Sequence, residues 1–75
     1  MEEIRNQVND NKRIIEQLGI KVGDEIRIIR MDGNDTYRNK KGVVKEIDKA
    51  YQLKGTWGNS PIIPRDDTFE IVKYH

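Results

Sequence analysis

The sequence contains no cysteine, and its single histidine is residue 75. Without thiols there is no disulfide framework and no thiolate metal site. A lone histidine leaves no sensible zinc site. Nucleophile–base pairs that rely on histidine are excluded on the same ground. No apolar run approaches the roughly 20 residues of a membrane span. The charged start MEEIRNQVND does not have the pattern of a secretory signal. No glycine-rich phosphate loop is present, because Gly55-Thr56-Trp57-Gly58 lacks the lysine and the spacing of a P-loop. These absences lead us to expect a cytoplasmic protein with no membrane partner, no cofactor, no metal and no catalytic activity.

An excess of charge of one sign is missing too. The 14 basic and 13 acidic residues nearly cancel, so global charge argues for neither nucleic-acid nor membrane binding. The 75 residues suffice for one domain. A core of that size leaves little surplus stability, and a ligand, a partner or self-association would add to it.

Met1 to Leu18 reads as a helix. Ile4, Val8, Ile15 and Leu18 recur at helical spacing, with Ile14 beside the stripe. Glu2 and Glu3 suit the positive end of the helix dipole, and Gly19 follows as a stop signal. Asn9-Asp10-Asn11 is the weak point, because these residues compete for backbone hydrogen bonds. A kink or a second helix start is expected there. The apolar stripe has two readings: it packs across an open end or face of the rest, or it is a surface for self-association or a partner.

Val22-Gly23-Asp24 turns the chain into a first strand, Glu25 to Met31. Ile26 and Ile28 are placed inside, with Ile29 under the helix. Asp32 to Lys41 is a polar loop, and Gly42 to Asp48 a second strand with Val43 and Ile47 as core candidates and Val44 less securely so. Tyr51 to Trp57 alternates, with Tyr51, Leu53, Gly55 and Trp57 on one face. Gly55 suits a bent strand where two backbones come close. Ile62-Ile63 forms a short strand between Pro61 and Pro64. Thr68 to Lys73 closes the set with Phe69 and Ile71 on one face, and Tyr74-His75 is a frayed end. The expectation is a mainly β chain: a small five-stranded SH3-like barrel (residues 20–75) behind a packed N-terminal α-helix (residues 1–19).

The loop carries Tyr37, Arg38, Lys40 and Lys41 together, and an aromatic among cations is a surface that stacks a base and neutralises phosphates. From Thr36 to Trp57 there are six basic residues, Lys45 and Lys54 among them, against two acidic ones, Glu46 and Asp48. Such a patch would contact a few phosphates weakly and in a salt-sensitive way. The plain alternative is a solvated loop with an anchoring tyrosine and lysines that guard strand edges. Trp57 is either a core residue beside Leu53 or, with Gly58, Asn59 and Pro61, one wall of a groove. The carboxylates have simpler places: Asp24, Asp32, Asp35, Asp66 and Asp67 fall at turns. The candidate binding surface is therefore Tyr37, Arg38, Lys40, Lys41, Lys45, Lys54, Trp57 and Asn59. The expected function is a non-enzymatic module for a protein partner, with weak nucleic-acid binding as the alternative.

Two resemblances accompany this reading. GDEIRII, a loop and GVVKEID resemble the opening of KOW-type SH3-like barrels of ribosomal proteins and elongation factors. Most of the chain is similar to a bacterial and phage family, a domain of unknown function with an N-terminal helix. The matching segments run from Gly23 to Asp32, Gly42 to Val44, Gly55 to Asn59, Ile62 to Pro64 and Asp66 to Val72, with Met31-Asp32 and Trp57-Gly58 the most distinctive. The chain departs from that family in the first loop, where GNDTYRNKK stands in place of a proline-rich segment. The resemblance implies an SH3-like barrel and a bacterial or mobile-element origin, and it brings no activity with it.

Overall fold

The computed structural model describes residues 2–75. Met1, the expected start of the helix, lies outside them. Helix α1 (Glu2–Leu18) precedes four strands, β1 (Glu25–Arg30), β2 (Lys41–Ile47), β3 (Leu53–Gly55) and β4 (Thr68–Lys73). A single 3₁₀ turn, Asp35–Tyr37, sits in the β1–β2 loop. The strands form one antiparallel sheet in the order β3-β2-β1-β4.

The expected closed, five-stranded barrel is corrected to an open sheet of four strands. Ile62 does exchange both backbone hydrogen bonds with Leu53, at 2.8 and 2.9 Å. The ladder stops there because its neighbours are spent. Pro61 and Pro64 have no N–H to give. The Ile63 N–H donates to Asp67 Oδ2 at 2.7 Å. The Ile63 carbonyl accepts from the amides of Asp66 and Asp67. The third strand is likewise shorter than its alternation predicts. Asp48 Oδ1 accepts the amides of Ala50 and Gln52, each at 2.9 Å. That turn holds Tyr51 at a φ of 59°, outside the extended region.

Ile26, Ile28, Val44, Leu53 and Ile62 are fully buried and pack with Ile15, Ile20, Met31 and Trp57. Val43 and Val44 exchange their expected roles. Gly42 and Val44 face inward, whereas Val43 is half-buried opposite Glu25. Ile29 is half-buried and does not join the core; Ile15 and Ile20 bring the helix side of the core instead. Phe69 and Ile71 pack against the core as expected. Trp57 is 4% exposed, which makes it a core residue and not the wall of a groove. A Cβ at Gly42 would stand 2.9 Å from Trp57 Cε3, and one at Gly55 would collide with the same ring and with the Val43 carbonyl. The indole therefore lies where two neighbouring strands carry no side chain, and its N–H donates to the Ser60 carbonyl at 2.8 Å.

α1 lies across the connecting segments rather than along a strand. It runs as one helix through Asn9-Asp10-Asn11, so no second helix starts there. The reason is Asn11, whose side chain is fully buried. Its Nδ2 donates to the Ala50 carbonyl at 3.1 Å, and its Oδ1 accepts the Arg65 amide at 3.0 Å. A residue that weakens an isolated helix here fixes the helix to two turns. Gly19, at a φ of 68°, ends it. The Ile20 amide returns to the Ile15 carbonyl and the Gly19 amide to that of Glu16, which satisfies two end carbonyls. Arg65 joins the helix to the turn before β4 through Glu3 at 3.1 Å and Asp10 at 3.7 Å. Ile4, in the first turn, is 60% exposed.

The chain end is tied down, contrary to the expected fraying. Asp24 is fully buried. Its Oδ1 accepts the His75 amide at 2.7 Å and the Lys21 ammonium at 3.2 Å, while Oδ2 accepts the Lys21 amide at 2.9 Å. The Tyr74 hydroxyl donates to the Leu18 carbonyl at 2.9 Å. Burial pushes the Asp24 carboxyl up, but the His75 and Lys21 amides and the Lys21 ammonium outweigh it and hold it below the usual carboxylate range.

Two outcomes follow from these fastenings. Replacing Asn11 by Ala leaves the Arg65 amide and the Ala50 carbonyl unpaired and costs about 2 kcal/mol in urea unfolding. A loss below about 0.5 kcal/mol, the size of an ordinary surface change, would show that Asn11 is not a tether. A carboxyl depressed in the folded state stabilises fully above its unfolded pKa, and the gain is lost as pH falls through the folded value. Stability should therefore drop on acidification below about pH 4. Asp24→Asn should flatten that drop, and an unchanged slope in the variant would contradict the assignment.

Candidate binding surface

Two segments expected to carry function, the β1–β2 loop and the turn after Trp57, meet in the structure. The loop is shaped locally. The Asn34 side chain accepts the Thr36 amide at 3.0 Å, which caps the 3₁₀ turn and sets Tyr37 at its end. The turn is fixed from below by the Trp57 indole bond to Ser60. Tyr37 then seats on Gly58: a Cβ there would stand 2.5 Å from Tyr37 Cε1 and 2.8 Å from its hydroxyl oxygen. Only glycine leaves room for the ring.

The phenol oxygen lies among donors. The Ser60 hydroxyl, the Asn59 and Ser60 amides and the nearby Lys40 charge together favour phenolate against the cost of burial. Tyr37 is held below the usual tyrosine pKa as a result. The Lys40 ammonium lies 5.3 Å from the ring centroid, within cation–π range.

Beside this junction is an open cleft of about 230 Å³, lined by Lys54, Gly55, Gly58, Asn59, Ser60 and Pro61. A second hollow of about 240 Å³ shares Ser60 and Pro61 and is otherwise lined by residues such as Met31, Asp32, Asn34 and Asp66. The structure thus gathers Tyr37, Lys40, Lys54 and Asn59 around one turn. Trp57 supports that turn from within and offers no face to a partner. Ser60 was not singled out by sequence reasoning, because nothing in a turn signal says which loop will dock on it.

Acidic groups stand among the cations of this region. Arg38 pairs with Asp35 at 3.3 Å. Lys54 stands opposite Glu46 across the strands and 3.9 Å from Asp48. Lys41 stands opposite Arg27, which pairs with Glu70 at 2.7 Å. Lys45 is exposed in the irregular stretch between Val44 and Glu46. Neither Lys41 nor Lys45 lines either hollow. Among the described residues no group of three His, Cys, Asp or Glu is placed to hold a metal ion, and no helix is long and apolar enough to cross a membrane. His75 lines a separate hollow with Gly23, Glu25 and Lys73.

The seating of Tyr37 has a direct readout. In a pH titration followed by NMR, the Tyr37 ring should ionise below the ordinary tyrosine value of about 10. Gly58→Ala displaces the ring and should return it to that value. An ordinary value in the unmodified protein would show that the loop and the turn are not joined as described. Comparison with protein-family models, with curated proteins and with solved structures finds no match.

Proposed function

We propose that the chain is a small non-enzymatic binding module of SH3-like type that engages a protein partner. The binding surface is the junction of the β1–β2 loop with the Trp57–Pro61 turn. The observation that carries this reading is the seat of Tyr37 on Gly58, beside a cleft already formed. A surface ordered before binding avoids part of the entropy cost of association. The SH3-like reading draws on the strand order, in which the last strand returns to pair with the first, and on Ile62 extending the other edge. The resemblance to a bacterial and phage family makes an accessory role in a bacterium or mobile element the natural setting.

Nucleic-acid binding is the second reading. What favours it is that Lys40, Lys41 and Lys45 form no ion pair with an acidic residue among the described residues. It ranks lower because Asp35, Glu46 and Asp48 interrupt the basic run and because Trp57, the best stacking ring, is buried.

Selection from a random peptide library on the folded protein separates the two. Selected peptides should shift the amide signals of Tyr37, Lys54, Asn59 and Ser60, and Asn59→Trp, which fills the cleft, should abolish the shifts. Peptide-induced shifts confined to α1 would overturn the choice of surface. Tight, steeply salt-dependent binding of short oligonucleotides that is lost in the double variant Lys40→Glu, Lys41→Glu would put nucleic acid first.

A further inference from the structure

We infer that the cleft beside Lys54 and Asn59 receives an acidic side chain of the protein partner; this rests on the surface assigned above. Of the residues that line the cleft, Lys54 alone is charged. Its internal partner holds it loosely. Asp48 Oδ2 is 3.9 Å from the ammonium, at the outer limit of an ion pair. The other oxygen of Asp48 is committed to the amides of Ala50 and Gln52. Asp48 is therefore fixed in its turn and cannot follow the lysine. The Lys54 side chain is half exposed, so it can swing to an incoming carboxylate while the less exposed Asp48 keeps the Ala50 and Gln52 amides as partners. A pair this long, with its lysine half in solvent, contributes little, so exchanging it costs little.

The surroundings suit a carboxylate in the same place. Asn59 also lines the cleft, and the amide N–H of an asparagine side chain is a donor for such an oxygen. Gly55, Gly58 and Pro61 also line the cleft, and Pro61 offers apolar contact to the stem of the acid. Lys40 adds positive charge beside the Tyr37 ring, and Tyr37 covers Gly58.

A single acidic residue fits better than a polyanion. A nucleic-acid strand crossing Ser60 and Pro61 would pass from the Lys54 cleft to the neighbouring hollow, where Asp32 and Asp66 stand. Like charges there repel a continuous phosphate backbone. Base stacking is poorly served at this junction, with Trp57 buried and the Tyr37 ring seated against Gly58 and close to Lys40.

The Trp57 indole N–H, bonded to Ser60 under the cleft, is a built-in reporter. The experiment is an NMR titration of the folded chain with a short synthetic peptide of Glu, Pro and Gly. Its Gln counterpart and a single-stranded oligonucleotide are run in parallel. The Glu peptide should shift the Trp57 indole and the amides of Lys54, Asn59 and Ser60, with the Gln peptide several-fold weaker. Lys54→Gln should lose that difference, and Lys54→Arg should keep it. The neutral variant avoids setting a third acid against Glu46 and Asp48, and its unchanged core signals verify the fold. No response to the Glu peptide, or equal binding of the Gln peptide, overturns the inference. If the Gln peptide still shifts the same amides, the surface itself stands. A stronger, salt-steep response to the oligonucleotide overturns it in favour of nucleic acid. Shifts that appear only on α1 remove both the inference and the surface.

Discussion

Backbone amides in the connecting segments of a small protein have to find partners once the core closes over them. That requirement governs this chain, because an open four-stranded sheet pairs only part of its backbone. The solution is three buried polar side chains, Asn11, Asp24 and Asp67. Each joins segments far apart in sequence. Asn11 holds α1 to the turns at Ala50 and Arg65. Asp24 holds His75 and Lys21. Asp67 takes the amide of Asp32 at the end of β1 and that of Ile63 beside the last bridge. An unpaired group at any of these places would cost as much as a good fraction of the stability of so small a domain.

The candidate surface inherits its order from the same arrangement. Asp67 fixes the chain on both sides of the Ser60–Pro61 hollow, at Asp32 and at Ile63. Trp57, laid over Gly42 and Gly55, fixes the turn from inside. Tyr37 then closes the remaining gap between loop and turn. The surface is built from loops, as binding surfaces often are, but each loop is fastened by a buried group.

Much of the architecture was legible in the sequence. The helix, its stop at Gly19 and four of the strands follow from period and punctuation. Gly55 was read as a close approach of backbones, and the Val43 carbonyl stands where its Cβ would be. What escaped was tertiary. The inward choice between Val43 and Val44 depends on register, and one residue of slip exchanges the two faces. Asn11 looks like a helix breaker until the two turns it bonds are in place. Ile62-Ile63 has strand composition, but its second residue is taken by Asp67, which reads locally as nothing more than a turn residue. For the surface, the sequence pointed to both loops, and the structure brings them together at Tyr37 and Gly58. The sequence could not show that Asp35, Glu46 and Asp48 would divide the cations, or that Trp57 would turn inward.

The central claim is that buried polar side chains, rather than strand pairing alone, hold the connecting segments. Amide hydrogen exchange tests it most directly. The amides of Asp32, Ile63, Arg65 and His75 lie outside the strands and the helix yet are bonded to Asp67, Asn11 and Asp24. They should exchange slowly, approaching the protection of the sheet, as amides that open only with the whole domain do. Exchange of these four as fast as at the exposed Gly33, while the strands stay protected, would contradict the account.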